Sequence, residues 1–217
     1  MNIEQARFNM IEQQIRPWDV LDSSVLSLLA IVRREEFVPP AYRAMAFTDM
    51  DLPLPEGQCM LSPKVEARLL QELAVHKHER VLEVGTGSGF MAALLAHKAR
   101  EVISLEIRPA LALQAKINLQ RAAIVNAEVR QADGSRGLAD EGPFDVIALS
   151  GSVAEIPQGL LDQLKVGGRL AAIVGEEPVM RAVLVTRSAT GAFHRVELFD
   201  TVAPRLEGFG EPSKFSF

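Results

Sequence analysis

The fold is decided by one short stretch, Val81-Leu82-Glu83-Val84-Gly85-Thr86-Gly87-Ser88-Gly89-Phe90, in which an apolar run leads through a glycine-rich turn into a helical pattern. The glycines alternate at positions 85, 87 and 89. A dinucleotide-binding turn needs the spacing G-x-G-x-x-G, which would place its third glycine where this chain has Phe90. Glycines at such a turn let the backbone bend sharply and approach a ligand closely. The spacing therefore weakens an NAD interpretation and predicts a strand–turn–helix unit for a different ligand.

Short apolar runs alternate with helical patterns along the rest of the chain. Strands are predicted at residues 80–84, 102–106, 127–131, 145–150 and 170–174, and helices at residues 90–97, 110–122 and 157–164. This alternation is typical of βαβ units with right-handed crossovers in a mainly parallel sheet. Two later runs, residues 182–186 and 193–199, flank a Ser188-Ala189-Thr190-Gly191 turn and predict an antiparallel hairpin. The predicted class is α/β, with a Rossmann-like, doubly wound sheet that ends in this hairpin.

The chain before this region has a different pattern. Residues 1–78 are predicted to form a helical cap with a connector, and residues 79–217 the Rossmann-like domain, the two making one compact unit. Apolar stripes predict three cap helices, at Phe8, Ile11 and Ile15, at Val25, Leu28, Leu29 and Val32, and at Val65, Leu69 and Leu73. Pro17 is expected to stop the first helix, and Ser62 to cap the third with Pro63 at its first position. The balanced run Arg33-Arg34-Glu35-Glu36 is predicted to be a solvated helix end.

Composition excludes several classes of protein. Of 217 residues, 48% are hydrophobic and 24% charged, which is typical of a globular domain and not of a disordered chain. No apolar run approaches the ~20 residues of a membrane-spanning helix, and residues 1–5 lack a signal-peptide pattern, so we expect a cytoplasmic location. A single cysteine, Cys59, excludes an intrachain disulfide, and His76 and His78 have no evident third metal ligand. The net charge of −5 argues against nucleic acid and membrane as partners, and we expect a monomer.

Acidic residues stand at the places where this fold needs them for a ligand. Glu106 closes the second predicted strand 19 residues after Gly87, where Rossmann-like folds place a carboxylate that binds ribose hydroxyls. Glu83 precedes the first glycine by two residues. Together with the alternating glycines, this pattern resembles motif I of the class I S-adenosylmethionine-dependent methyltransferases. The resemblance implies that Asp133 and Gly134, after the third strand, face the adenine ring.

Flanking motifs resemble one methyltransferase family in particular. Residues 32–39 (V-R-R-E-E-F-V-P) are similar to V-P-R-x-x-F-V-P, residues 51–55 (D-L-P-L-P) to D-x-P-L-P, and residues 156–170 to I-P-x-x-L-x-x-Q-L-x-x-G-G-R-L. These are patterns of the protein-L-isoaspartate O-methyltransferases, and they cover most of the chain up to Leu198. The resemblance implies that the methyl group of S-adenosylmethionine passes to the side-chain carboxylate of an isoaspartyl residue. S-adenosylhomocysteine is the product, and the ester begins the repair of a damaged protein.

The family's central motif, G-Q-T-I-S-x-P, differs in this chain. Residues 57–63 read G-Q-C-M-L-S-P, so Leu61 stands at the family's serine position and Cys59 at its threonine position. Ser62 follows one residue later and is the catalytic candidate if the loop slips in register, and Leu61 is the candidate by position. The resemblance implies this set of cofactor-binding residues: Gln58, Cys59, Met60, Glu83, Gly85, Thr86, Gly87, Ser88, Gly89, Glu106, Ile107, Asp133 and Gly134.

The acceptor chemistry needs few specialised groups, and Leu61 keeps three interpretations open. A carboxylate has a pKa near ~4 and is already an anion at neutral pH, so no dedicated base is required and positioning dominates. The main interpretation is methylation of isoaspartyl residues. The first alternative is the same chemistry on another acceptor, such as a small-molecule carboxylate or hydroxyl. The second is a non-catalytic protein that binds S-adenosylmethionine but has lost transfer.

Overall fold

Two sheets organise the protein, whose computed structural model describes residues 2–211. A small antiparallel ribbon pairs β1 (Leu52–Pro53) with β2 (Cys59–Met60). The main sheet contains β3 (Arg80–Val84), β4 (Glu101–Glu106), β5 (Ala127–Gln131), β6 (Phe144–Val153), β7 (Leu164–Glu176), β8 (Val179–Ala189) and β9 (Ala192–Asp200). Its strand order is β5-β4-β3-β6-β7-β8-β9, parallel from β5 to β7 and antiparallel from β7 to β9. The predicted α/β class, the mainly parallel sheet and the terminal hairpin are confirmed.

Helices cover both faces of the main sheet. They are α1 (Ile3–Met10), α2 (Ser23–Ile31), α3 (Pro63–Leu73), α4 (Phe90–Lys98), α5 (Pro109–Arg121) and α6 (Gln158–Leu161). Helices α1 to α5 contribute to one large apolar cluster on one face. On the other face, Leu160 of α6 joins a second cluster, and Leu206 and Phe209 from the segment after β9 pack against it. The side chains of β3 alternate between these clusters, so Val81 faces the first and Leu82 the second.

The order of strands fixes where a ligand can bind. The chain runs from β3 outward to β4 and β5, and then returns to place β6 on the other side of β3. In open α/β sheets, a crevice forms at this reversal, beyond the carboxyl ends of the strands. The glycine turn after Val84, the acid Glu106 and the end of β6 therefore meet at one edge.

Several element boundaries differ from the sequence-based predictions. The helix predicted at residues 157–164 is wrong in length, because α6 ends at Leu161 and Leu164 already begins β7. Strand pairing explains the early end, because Leu164 pairs with Phe144 of β6 and Phe144 N donates to Gln163 O (2.7 Å). The Gln163 side chain fixes the intervening turn by donating to Arg136 O and Gly159 O (both 2.8 Å). Strands β6 and β7 are also longer than the predicted apolar runs.

The first cap helix was predicted partly wrongly. Phe8 is 58% exposed, although it was assigned to the buried stripe, whereas Ile11 and Ile15 are buried. The α-helix ends at Met10 and continues as a π-helix over Ile11–Ile15, whose wider turn changes which side chains face inward. The other two predicted cap stripes are buried as expected.

The charged run at residues 33–36 was also predicted wrongly, because half of it is buried. Arg33 is exposed and Glu36 is half-buried, and the two pair with each other. Arg34 is only 1% exposed and Glu35 is 7% exposed. Arg34 forms an ion pair with Glu66 of α3. Glu35 pairs with Arg7 of α1. Partners in other helices make burial of these charges tolerable.

Candidate active site

The glycine turn has a backbone that side chains would obstruct. Gly85 has a φ of +91° and Gly89 a φ of +85°, in the left-handed region that favours glycine. A Cβ atom on Gly85 would lie 2.6 Å from Leu206 Cδ2. The turn is closed by a hydrogen bond from Gly89 N to Thr86 O (2.8 Å), and Gly85 N donates to Leu105 O (2.9 Å). The turn is therefore fixed against β4 and leaves a bare backbone facing the crevice.

Glu106 ties the end of β4 to that turn. Its Oε2 accepts a hydrogen bond from Gly87 N (2.8 Å), and its Oε1 accepts one from Arg108 N (3.0 Å). The residue is buried, at 6% exposure. Each carboxylate oxygen can accept a second hydrogen bond, so both oxygens retain capacity for a ligand hydroxyl. The geometry fits a group that orients the glycine turn and holds a ribose at the same time.

Glu83 lies at the bottom of the crevice and is fully buried. Its two oxygens accept hydrogen bonds from Ser104 Oγ (2.6 Å) and Ser150 Oγ (2.8 Å). Burial raises the pKa of Glu83 to about 8, although both serine hydrogen bonds oppose this change. A cation arriving beside this carboxyl would favour its ionised form.

The ribbon β1–β2 leads into the loop that faces the glycine turn, residues 61–62, which connects β2 to α3. Leu61 is buried, and its carbonyl oxygen accepts a hydrogen bond from Arg34 Nη2 (2.6 Å). Ser62 occupies the N-cap position of α3, as predicted, but its side chain makes no capping hydrogen bond. Instead, Ser62 N donates to Asp51 Oδ1 (2.7 Å). This contact and the ribbon pairing fix the register, with Leu61 facing the turn and Ser62 behind it.

Cys59 is shielded rather than reactive. Burial raises the pKa of its thiol to about 12, and the nearby carboxylates of Asp51 and Glu66 act in the same direction. The thiolate is the nucleophilic form of cysteine, so this side chain is a neutral wall group at physiological pH. We therefore assign it no covalent role.

A buried cation supports the loop from behind. The guanidinium of Arg34 pairs with Glu66 and donates through Nε to Ala46 O (3.1 Å). It also lies 4.9 Å from the ring centroid of Phe90, the first residue of α4. Arg34 thus joins the cap, the Leu61 loop and the helix that follows the glycine turn. Arg34 therefore holds the loop from behind, in addition to the Asp51 contact and the ribbon pairing.

Two adjoining cavities occupy the crevice. The outer cavity has a volume of about 60 Å³, and Glu106, Ile107, Gly134 and Leu206 are among its lining residues. The inner chamber, about 20 Å³, lies between the glycine turn and the loop. Its wall consists of these residues: Cys59, Met60, Leu61, Glu66, Leu69, Glu83, Gly85, Thr86, Gly87, Ser88, Met91 and Ser150. Both volumes are far below the ~300 to ~1,000 Å³ of typical ligand sites, so the crevice is nearly closed.

A segment after β9, which we call the strap (residues 203–208), closes the crevice. It lies beside the end of β6, where Ser152 N donates to Pro204 O and Leu206 N donates to Ser152 O, both at 2.8 Å. Arg108 joins the strap to the turn between β1 and β2 (Pro55–Gly57), since its guanidinium pairs with Glu207 of the strap and with Glu56 of that turn (2.8 Å). These two ion pairs, which we call the latch, span the mouth of the outer cavity.

Most predicted site residues meet at this crevice. Of the thirteen cofactor candidates, eleven line one or both cavities: Gln58, Cys59, Met60, Glu83, Gly85, Thr86, Gly87, Ser88, Glu106, Ile107 and Gly134. Gly89 begins α4 behind the turn, and the Asp133 carboxylate accepts from Ser135 N (2.9 Å) beside Gly208 of the strap. Of the two catalytic candidates, Leu61 lines the inner chamber and Ser62 does not.

Several lining residues were missed by sequence reasoning. Glu66 lies within a helical stripe pattern and carried no local signal. Leu206 and Glu207 belong to the tail after Thr201, which has no recognisable motif, and residues 212–217 of that tail lie outside the described residues. Arg108 follows the second strand and could have been suspected from its position. Contacts between distant segments brought these side chains to the site.

Comparison with known proteins gives consistent results. A model of the family described as protein-L-isoaspartate (D-aspartate) O-methyltransferase matches residues 5–201. A protein-L-isoaspartate O-methyltransferase of Koribacter versatilis is 40% identical over 194 residues, covering 89% of this chain and 87% of that protein. One of Methanoculleus marisnigri is 43% identical over 171 residues, covering 79% and 78%.

A solved structure has the same fold. A Plasmodium falciparum protein described as a protein-L-isoaspartate O-methyltransferase, in complex with S-adenosyl-L-homocysteine, superimposes with a TM-score of 0.81 at 21% identity. The match covers 95% of this chain and 99% of that one. In the part of this chain that the structure describes, none of the helices has the length and apolar character needed to cross a membrane.

Proposed function

The chain belongs to the protein-L-isoaspartate (D-aspartate) O-methyltransferase family, and from that membership we propose that it transfers the methyl group of S-adenosylmethionine to isoaspartyl side chains of damaged proteins. The observation that carries the proposal is the hydrogen bond from Gly87 N to Glu106, which sets a carboxylate that could bind ribose hydroxyls against a bare glycine turn. Isoaspartyl-containing polypeptides are the proposed partners. A cytoplasmic site of action is part of the proposal, supported by the lone, unpaired Cys59 thiol.

The residues present fit S-adenosylmethionine in charge and shape. The cofactor carries a sulfonium and an ammonium, and the inner chamber offers the carboxyl group of Glu83. Glu106 would hold the ribose hydroxyls, and Ile107 and Gly134 would flank the adenine in the outer cavity. A Cβ atom on Gly134 would lie 2.4 Å from Val84 Cγ1, so a glycine fits where this backbone packs against the Val84 side chain. The strap lines the outer cavity through Leu206 and Glu207, so it is the segment that we expect to move when the cofactor enters.

The proposed chemistry depends on orientation and exclusion of water. When bound, the cofactor supplies an electrophilic methyl group on a cationic sulfur. The acceptor carboxylate is already an anion, so no residue of this chain has to remove a proton. The loop, held by Arg34, and the buried walls of the chamber would align the acceptor oxygen and displace its hydration shell.

Leu61 favours a second candidate function, methyl transfer to a different acceptor. Its aliphatic side chain faces the chamber and offers no hydrogen bond to an acceptor carboxylate. A small-molecule carboxylate or a hydroxyl compound would then be the substrate. This alternative retains the same cofactor site and the same electrophile.

One experiment separates these functions. The purified protein is incubated with methyl-labelled S-adenosylmethionine and a matched pair of peptides, one isoaspartyl and one aspartyl, and base-labile methyl ester is measured. We expect labelling of the isoaspartyl peptide only. Binding of the cofactor without labelling of either peptide would favour a different acceptor or a non-catalytic protein.

The latch makes a separate prediction about cofactor entry. Replacing Arg108 with alanine should increase the association rate of S-adenosylmethionine a few-fold, because the exposed ion pairs to Glu56 and Glu207 no longer hold the strap. Stopped-flow fluorescence measures the association rate. A higher salt concentration screens the two ion pairs, so it should also increase the association rate for the unmodified protein. Arg181→Ala is the matched control, since Arg181 also bridges two acids, Glu197 and Asp200, away from the crevice. Equal rates in all three proteins would contradict a gating role.

A further inference from the structure

Glu66 is a buried acid on the chamber wall that the proposed mechanism leaves without a task. It is 5% exposed and lines the inner chamber beside Leu61. Arg34 occupies its Oε2 oxygen. Its Oε1 oxygen has no hydrogen-bond partner among residues 2–211. This oxygen is also not one of the fully buried atoms that lack a partner, so it retains some accessible surface. Oε1 is therefore the oxygen left to meet a ligand in the chamber.

We propose that Glu66, in its protonated form, donates a hydrogen bond from Oε1 to the acceptor carboxylate and so orients it for methyl transfer. This inference rests on the proposed function and names the group that contacts its acceptor. An ionised Glu66 would repel the acceptor anion, whereas the neutral acid is complementary to it. The proton stays on Glu66 throughout, since the acceptor oxygen forms its bond to carbon while the carbon–sulfur electron pair goes to sulfur.

The surroundings of Glu66 allow that protonated form. Burial raises the pKa of Glu66 to about 7, with Asp51 acting in the same direction and Arg34 opposing it. The other titratable groups at the chamber are Glu83, whose ionised form the bound cofactor cation would favour, and Cys59, whose thiol stays neutral. A carboxylate acceptor entering the chamber adds another negative charge, and this favours the neutral acid further.

Glutamine at this position imitates the proposed state. In Glu66→Gln the amide oxygen can accept the hydrogen bond from Arg34, while the amide NH₂ replaces Oε1 and donates into the chamber at every pH. Leucine is nearly as large and offers no donor. The two variants therefore separate a donor role from a purely structural pairing with Arg34.

The test measures kcat/KM for an isoaspartyl peptide between pH 5.5 and 9, with saturating S-adenosylmethionine. We expect the unmodified protein to lose about tenfold per pH unit above pH 7, and Glu66→Gln to show a flat profile. Glu66→Leu should lose roughly ten- to a hundred-fold at pH 6, with its cofactor affinity unchanged. A Glu66→Gln profile that declines like that of the unmodified protein, or a fully active Glu66→Leu, would overturn the proposal.

A binding measurement gives a readout that does not depend on turnover. Calorimetry of the isoaspartyl peptide binding to the protein with S-adenosylhomocysteine, repeated in buffers of different ionisation enthalpy, counts the protons taken up. At pH 8 we expect uptake approaching one proton in the unmodified protein and none in Glu66→Gln. Equal uptake in both would contradict the role of Glu66, whereas failure of the unmodified protein to bind or methylate the peptide would instead contradict the proposed function.

Discussion

Replacing Glu106 with alanine should weaken S-adenosylmethionine binding by about a hundredfold or more while leaving the protein folded. The substitution removes the acceptor of two backbone hydrogen bonds, from Gly87 and Arg108, and the proposed partner of the ribose hydroxyls. Hydrogen bonds to a charged group contribute ~1.5 to ~3 kcal/mol each. Loss of the two proposed bonds from the ribose hydroxyls is therefore enough to weaken binding about a hundredfold. Isothermal calorimetry measures the dissociation constant, and thermal unfolding checks the fold.

Glu101→Ala is the matched control for this substitution. Glu101 begins the same strand that Glu106 ends, and its carboxylate pairs with Arg80 at the opposite edge of the sheet. We expect its cofactor affinity to stay within about twofold of the original. If Glu106→Ala bound the cofactor equally well, the crevice at the end of β4 would not be the ribose site.

The residues around Glu106 show what a sequence can predict. The glycine turn and the acid 19 residues after Gly87 depend on local geometry and on strand length, so their spacing carries the information. The alternation of apolar runs and helical patterns likewise predicts a mainly parallel sheet, whereas the order of its strands comes from the structure. Local signals were therefore sufficient for the sheet and for the turn, while the family resemblance supplied the other predicted residues that line the cavities.

Contacts between distant segments were the part that sequence reasoning could not supply. Arg34 and Glu35 form half of a run with balanced charges, which is the usual pattern of a solvated surface. Their partners lie on other helices, Glu66 of α3 and Arg7 of α1. The strap also depends on a contact between distant segments, since Glu207 pairs with Arg108, which lies 99 residues earlier in the sequence. Pairing over such separations is decided by the packed fold and leaves no periodic signal.

The loop register shows how structure sharpens a sequence hypothesis. The sequence left open whether Ser62 could replace the family's serine by a slip of one residue. The pairing of Leu52 with Met60 and of Pro53 with Cys59 fixes the ribbon, and Ser62 N is held by Asp51. A slip would break these contacts and the hydrogen bond from Arg34 to the Leu61 carbonyl. Ser62 therefore acts as the start of α3, and Leu61 remains the position to test.

Leu61→Ser should raise the rate of isoaspartyl methylation by about tenfold, provided the protein is assayed below its unfolding temperature. A serine hydroxyl at this wall of the chamber adds a hydrogen-bond donor for the acceptor carboxylate, and such a bond contributes about 1.4 kcal/mol when it acts in the transition state. The substitution also removes a buried side chain and should cost ~2 to ~4 kcal/mol of the free energy of unfolding. Methyl-ester formation and chemical denaturation measure the two effects.

Leu61→Ala isolates the hydroxyl from the space that the leucine leaves. Both variants open a similar void, so a higher rate in the serine variant alone assigns the gain to the hydrogen bond. A serine donor keeps its proton across the whole range from pH 6 to pH 9, unlike the acid of Glu66. Leu61→Ser should therefore also lose less activity above pH 7 than the unmodified protein does. Equal rates in the serine and alanine variants at every pH would mean that the acceptor does not contact this wall, and would favour a different substrate for the same cofactor site.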